Sequence, residues 1–514
     1  MSAEAQRGSI LSRTAMGAGW MFAWRMTTRF LGLFSTLVLV RLLTPADFGL
    51  FSLAFAVIAT LETVLATGVE AQLIRARQTS RALYDTVFTM NVIRGVLLAL
   101  LMVAFAAPAA AFFREPRLES VVQVLALIPL LGGVANVGVA EFSRELEFGK
   151  VFKLLIVPRL LQIVVTLVAA VVLQSHWALV YGAVFGRVLA TLFSYVFHPF
   201  RPRLSLALWR ELIRLSFWTW AISIAMAVRD RTPTFVVGRM LGLRELGLLT
   251  VSHEIATLPT SEIAGPISQA AMPGLAASLR SPDGIQVSEA FLRMLGLTLT
   301  VCLPACFGLS LVAAPTVALV LGPQWLETAP IIAVLAAGYA AVAVTMLGMA
   351  LLDARARLGE VFAFVTLGAV LRLAALASLL FGSGLLGFVA GIASGLLVEA
   401  VALTAWCVRR ERISARRLLH AAWRPVVATA AMVVILWASG LGWIAPAPAG
   451  PIAAASAAIH AVTAGALMFT VTLGCLWWLS GTPPGAERDL LSAIKVAQTP
   501  ILRTLRIGNT KSAQ

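Results

Sequence analysis

From the amino terminus onward the chain is a succession of long apolar runs, separated by short breaks rich in polar residues, glycine or proline. Runs such as 87–111 and 154–173 are apolar over most of their length and lack the strict alternation of a barrel strand. Each has about 20 residues or more, the length a helix needs to cross the hydrocarbon core. The pattern predicts fourteen spans, starting near residues 16, 48, 84, 119, 153, 177, 212, 247, 288, 328, 358, 385, 425 and 452. The fold class it implies is all-α, a polytopic membrane bundle. No small-residue cleavage site follows Arg7 and Arg13, so the first helix is expected to stay as an uncleaved anchor.

Composition strengthens this reading. Of 514 residues, 60% are hydrophobic and 12% charged, where a soluble protein carries about 25% charged residues. The charge is one-sided: 40 Lys+Arg against 24 Asp+Glu leave a formal +16. With the amino terminus in the cytoplasm, the basic residues crowd into every second break. Arg75, Arg77 and Arg81 fall there, then Arg144, Lys150 and Lys153, then Arg201 and Arg203, then Arg355 and Arg357, then Arg409, Arg410, Arg412, Arg416 and Arg417. The breaks at 174–176, 382–384 and 445–451 hold none. That alternation is the positive-inside rule, and it predicts that both termini are cytoplasmic. The surplus is therefore mainly a topology signal facing anionic headgroups, and nucleic acid is not an expected partner. Cys302, Cys306, Cys407 and Cys475 lie in or beside spans, and the spacing of the first two is not that of a metal or redox site. No metal or cofactor is expected.

An offset of 198 residues lays the first helix pair over the seventh and eighth. Thr36 meets Thr234, Val38 Val236, Arg41 Arg239, Leu43 Leu241, Gly49 Gly247 and Leu50 Leu248. Six helices separate the copies, an even number, so both run the same way across the membrane. This predicts two parallel lobes with a substrate path between them. The expected organisation is an N-lobe at 1–200, a C-lobe at 201–407, two added helices at 408–480 and a basic cytoplasmic tail at 481–514. The entry Thr44-Pro45-Ala46-Asp47 also reads as a plain helix start, with a cap, a proline in the first turn and an acid at the positive dipole end.

Ionisable residues inside spans are costly and usually face the bundle interior. Arg25 and Arg29 are one turn apart on the first helix, with Gly32 and Thr36 continuing the face. Two guanidinium forks so placed suit a phosphate or pyrophosphate; alternatively they pair with Glu62 or Glu70 and hold the bundle together. The seventh helix carries Arg229, Asp230 and Arg231, on a polar stripe running from Ser216 through Ser223 to Thr234. The eighth answers with Thr250, Glu254, Thr257, Ser261, Gly265 and Ser268, and with Glu262 close by. Arg25, Arg29, Asp230 and Arg231 are the candidate substrate-binding residues. Glu62, Glu70, Glu254 and Glu262 are the candidates for carrying a coupled ion, with charge balance as the plainer role. His253 is read as a packed helix residue ahead of a proton relay. Arg94, Arg187 and Arg372 are expected as pair partners, Arg159 as a snorkelling residue, and Glu399 as a neutralising neighbour.

The segment Arg41-Leu42-Leu43-Thr44-Pro45-Ala46-Asp47-Phe48-Gly49 resembles a signature of bacterial polysaccharide-export flippases, the Wzx-like members of the MATE/oligosaccharidyl-lipid/polysaccharide superfamily. Val237-Gly238-Arg239-Met240-Leu241-Gly242, Leu258-Pro259-Thr260-Ser261-Glu262 and Met272-Pro273-Gly274 are similar to segments that follow in that family. The likeness covers most of residues 10–280 and fades beyond. It implies fourteen helices, a cationic cavity, and transfer of a polyprenyl-pyrophosphate-linked oligosaccharide between leaflets, with Arg25 and Arg29 on the pyrophosphate. Implied partners are membrane lipids, the lipid-linked oligosaccharide and other polysaccharide assembly proteins. The rival readings are a drug or solute antiporter of the same superfamily, a flippase of lipid-linked peptidoglycan precursors, and a membrane glycosyltransferase or polymerase. The last would need acidic metal-binding residues in an early outside loop, where only Asp47 stands.

Overall fold

A computed structural model describes residues 3–65, 73, 80–145, 147–212, 217–269, 285–443, 450–483 and 485–489. Among them the chain is helical, with no strand. The long helices are α1 (Ala3–Leu42), α2 (Pro45–Val64), α3 (Arg81–Phe113), α4 (Arg117–Leu125), α5 (Leu127–Gly133), α6 (Phe148–Leu173), α7 (Trp177–Phe197), α8 (Phe217–Met240) and α9 (Leu243–Ala256). They continue as α10 (Ile285–Leu311), α11 (Thr328–Ala354), α12 (Leu358–Ala374), α13 (Gly384–Arg410), α14 (Ala415–Ala438) and α15 (Pro451–Leu479). A five-residue helix, Leu376–Leu380, extends α12.

Ten of the described helices are long and apolar enough to cross a membrane, or eleven if the bent pair at 117–144 makes one span. The protein is thus a multi-pass membrane protein. Helices also stand at the other expected positions, but they miss the apolar criterion for a physical reason. α1 and α8 carry Arg25, Arg29 and the Arg229–Arg231 triplet, and α9 has 14 residues. The fourth expected span is broken, α4 and α5 turning by 63° into a short helix at Ala140–Arg144.

The chain divides into two compact units, Met1–Thr250 and Val251–Gln514, the division falling within α9. In unit 1, α1 packs on α6, α6 on α7, α3 on α5, and α2 on α8. The start of α2 is built as its sequence reads. The Thr44 side chain accepts from the Asp47 N–H, and the Asp47 carboxylate accepts from the Thr44 N–H at 3.0 Å. α2 and α9 cross at two glycines with almost no space between backbones. A Cβ on Gly49 would lie 1.9 Å from the Leu243 carbonyl oxygen, and one on Gly247 would lie 1.7 Å from that of Pro45. The two contacts are reciprocal under the 198-residue offset: 45 maps to 243 and 49 to 247. One offset pair also meets directly, Thr250 donating to the Ser52 hydroxyl at 3.0 Å. The crossing is thus a reciprocal contact between positions that the offset equates.

In unit 2, α11 lies between α10 and α13, and α14 packs against α10 and α15. Gly338 meets Ala393 and Gly348 meets Leu403, which keeps α11 and α13 in one register along their length. The chain beyond α15 is tied back: Ala486 is buried beside Gly296, and Glu487 is buried on Arg424 of α14. The tail from residue 490 lies outside the described residues.

Candidate functional site

Arg25 and Arg29 occupy one face of α1 and are half-buried. The next position on that face is Gly32, and a third arginine stands opposite it. The Arg159 Nη2 of α6 lies 4.0 Å from where a Gly32 Cβ would be. Pro158 stands inside α6 immediately before it, and the Arg159 Nη1 donates to the Gln162 Oε1 at 3.1 Å. Gln162 packs in turn on Gly186 of α7. Arg159, read from sequence as a snorkelling residue near a helix end, lies beside the α1 face. Arg187 of α7 lies against Gly132 at the end of α5. Unit 1 therefore holds guanidinium groups on α1, α6 and α7, each seated against a glycine or the arginine face itself. Sequence spacing places the first pair on one face but does not bring Arg159 to it, because that approach depends on which face of α6 packs on α1.

The remaining candidates in unit 1 lie elsewhere. Asp230 is exposed on α8 and is held by its neighbour, the Arg229 Nε lying 2.9 Å from the Asp230 Oδ1. Arg231 is half-buried on the same helix. Glu62 is exposed near the end of α2. Glu70 and Ser216 lie outside the described residues, as does Met272-Pro273-Gly274. In unit 2, Glu254 is half-buried in the last turn of α9. Glu262 sits in a π-helical turn, Thr260–Ala264, entered from Pro259, and its Oε1 accepts from the Ser261 hydroxyl at 2.9 Å. Such turns are rare and often mark functional positions. His253 is exposed and meets the Tyr339 hydroxyl at 2.7 Å through its Nδ1.

A second charged cluster in unit 1 gathers around Asp47. Its Oδ1 accepts from the His176 N–H at 3.0 Å and lies 3.5 Å from the His176 Nδ1, while Arg117 and Glu115 pair at 2.7 Å nearby. The capping role of Asp47 was legible; its second role, tying α2 to the start of α7, was not. Burial pushes the His176 imidazole below its ordinary 6.5, Asp47 partly opposes this, and Arg117 adds to the depression. The Glu115 carboxyl is held below the usual range chiefly by its hydrogen bond from Arg117.

Unit 2 also carries a cavity of about 1190 Å³ bordered by α10, α11 and α13. Its walls are almost wholly apolar, among them Phe307, Ala333, Val344, Leu397 and Val401, and none of the candidate site residues borders it.

These features match known proteins over a defined stretch. The profile of the polysaccharide biosynthesis protein family matches residues 38–330. The chain belongs to that family. It is 24% identical over 322 residues to the succinoglycan biosynthesis transport protein ExoT of Rhizobium meliloti, covering 62% of this chain and 64% of that protein. It is 25% identical over 335 residues to the lipopolysaccharide biosynthesis protein WzxC of Escherichia coli, covering 64% of this chain and 67% of that one. The chain thus spans just under two thirds of the length of ExoT. In fold it is similar to the lipid II flippase MurJ in an inward closed conformation, with a TM-score of 0.70, 10% identity, and coverage of 91% of this chain and 99% of that one. A multidrug resistance MATE family transporter in an inward-facing conformation gives a TM-score of 0.62 at 17% identity, over 75% of this chain and 94% of that one.

Proposed function

We propose that the protein flips a polyprenyl-pyrophosphate-linked oligosaccharide from the cytoplasmic to the periplasmic leaflet of the bacterial inner membrane, for assembly of a surface polysaccharide. The observation that carries this reading is the guanidinium face of α1, Arg25 and Arg29, with Arg159 beside Gly32. Planar forks at that spacing bind pyrophosphate oxygens bidentately, and a partly desolvated site strengthens each such bond. Family membership, and the transport named for ExoT, support the same cargo class.

In this reading both termini are cytoplasmic, and two parallel lobes at 1–200 and 201–407 alternate access, with 408–480 added and 481–514 as a tail. Arg25 and Arg29 hold the pyrophosphate, while Asp230 and Arg231 meet the cargo from α8. Glu62, Glu70, Glu254 and Glu262 are the acids considered for ion coupling. A strain lacking the protein accumulates lipid-linked repeat units on the cytoplasmic leaflet and loses its surface glycan. Complementation with Arg25→Ala plus Arg29→Ala leaves that defect in place; full restoration of surface glycan by the double variant sinks the reading. Transfer of labelled sugar from a nucleotide donor by purified protein would put a glycosyltransferase in its place.

A further inference from the structure

The large cavity of unit 2 is bordered by none of the residues assigned to the cargo, and its form suits a ligand of another kind. α13 lines it from Leu386 to Arg409, about 35 Å at helical rise, which matches a hydrocarbon core of about 30 Å. The cavity is therefore a trough running along the span. Small residues hollow it out: Ala333, Ala337 and Ala341 recur at every fourth position of α11, and Ala390 and Ser394 do so on α13. Leu397 and Val401 of the α13 wall are 58% and 61% exposed, so the trough opens sideways to lipid rather than being sealed within the unit. Leu418, in the first turn of α14, stands at the Arg409 end, and Trp443, beyond α14, at the other.

The two ends differ in charge. Near the Trp443 end, the Trp443 Nε1 donates to the Ser310 hydroxyl at 2.9 Å, and that hydroxyl donates to the Ala333 carbonyl oxygen at 2.6 Å. Midway, the Ser394 hydroxyl donates to the Ala390 carbonyl oxygen at 2.8 Å. Among the described residues Arg409 is the one charged group on the walls. The arginines beside it have acids in reach, Arg410 of Glu360 at 4.0 Å and Arg417 of Glu289 at 3.7 Å. Arg409 is exposed and makes no ion pair among the described residues.

The chemistry of the ligand follows from these walls. Its larger part is hydrocarbon, and its polar part is one anionic group at the Arg409 end, where a guanidinium fork suits a phosphate. One guanidinium matches one phosphate, whereas the Arg25 and Arg29 pair of α1 suits a pyrophosphate. From Arg409 to Leu397 is about 18 Å at helical rise, close to the depth that acyl chains fill in one leaflet. We propose that the trough binds an anionic diacyl phospholipid, its phosphate on Arg409 and its chains along α11 and α13. Basic clusters at a membrane surface favour lipids of net negative charge, so phosphatidylglycerol binds ahead of zwitterionic phosphatidylcholine. This occupancy does not rest on the transport reading; only the assignment of the Arg409 end to the cytoplasmic leaflet follows the orientation proposed above.

Native mass spectrometry of the purified full-length protein, titrated in detergent with dioleoyl phosphatidylglycerol or dioleoyl phosphatidylcholine, tests the site. Wild type is expected to bind the first about fivefold more tightly, the factor that one arginine contributes near anionic lipid. Arg409→Gln is expected to abolish that preference, while Arg412→Gln, which removes the same charge away from the trough wall, keeps it. Ser394→Trp, which fills the trough from an exposed position, is expected to weaken binding of both lipids. Ala405→Trp, exposed on the same wall, takes its place should that variant fail to fold. Equal binding of the two lipids by wild type, an unchanged preference in Arg409→Gln, or wild-type affinity in the trough-filling variant each overturns the proposal. Displacement of phosphatidylglycerol by an equal concentration of undecaprenyl phosphate overturns the phospholipid as occupant.

Discussion

The two units share one means of close approach, glycine against a neighbouring helix, and differ in how deeply their arginine–carboxylate pairs are buried. Unit 1 brings backbones together at glycine, at the Gly49–Gly247 crossing of α2 and α9, and seats arginines against glycines, Arg159 at Gly32 and Arg187 at Gly132. Unit 2 closes arginines onto buried carboxylates, whereas the unit 1 pairs Arg117–Glu115 and Arg229–Asp230 each keep an exposed partner. Arg424 meets Glu487, Arg372 meets Glu399, and Arg355 and Arg357 both reach Glu411, at 2.5 and 3.7 Å. The difference teaches how to sort intramembrane charge. A buried arginine–carboxylate pair such as Arg424–Glu487 is a packing feature, and Arg25 and Arg29, one turn apart on a half-buried face, are the arginines whose spacing suits an anionic ligand.

Breaking that contrast should give effects of graded size. The largest is expected at Arg424, where alanine leaves Glu487 buried without its fork; losing one partner of a buried pair costs about 3–5 kcal/mol. Thermal unfolding in detergent measures it, and replacing both residues by apolar ones of similar volume should recover most of the loss. Next is Gly247→Ala, which pushes a methyl group into the Pro45 carbonyl. Overpacking of this kind costs about 1–3 kcal/mol, more where backbone cannot yield, and Gly49→Ala should match it if the crossing is symmetric. Smaller in stability is Arg25→Gln with Arg29→Gln, at about 1 kcal/mol for each substitution, together with loss of flipping. A large fall in unfolding temperature without a transport defect would place these two arginines with the packing group instead.

The smallest effect is pH-dependent and belongs to His176. Its imidazole is held below the ordinary 6.5 by burial, so the fold disfavours the charged form. The stability it contributes is fully present above 6.5 and is lost as pH falls from there toward the folded-state value. His176→Gln should flatten the decline of unfolding temperature across that window. Glu115, also depressed, adds a loss of the same sign only below its ordinary 4.5.

Much of this was legible in the sequence, for reasons that can be named. Helix positions follow from apolar run length, and the Thr44–Asp47 start follows from local capping chemistry, since both depend on neighbours in the chain. The 198-residue offset matched Gly49 with Gly247, but not the fact that each touches the other copy. That Arg25 and Arg29 share a face was legible because helical spacing alone sets it. The approach of Arg159 to Gly32 and the Arg424–Glu487 pair escaped, because each depends on which face of one helix meets which face of another; Arg372 was expected as a pair partner and Glu399 as a neutralising neighbour, but not that they meet each other. Gly368 opposite Glu399, the residue that admits its carboxylate, carries no signal of its own. The π-helical turn at Thr260–Ala264 was hidden for a similar reason: Pro259 marks a break without saying that the helix resumes with an extra residue.

The Gly49–Gly247 crossing has a consequence for epistasis. Exchanging the two copies of the repeat leaves the contact unchanged, so its two glycines share one gap rather than owning two. The first alanine has to force the backbones of α2 and α9 apart, and the second then enters space already opened. Substitutions at neighbouring sites rarely add, and here the sign of the deviation is set by symmetry. The double variant Gly49→Ala with Gly247→Ala should lose less stability than the sum of its parts, and a natural drift away from glycine at one position lowers the barrier to losing the other.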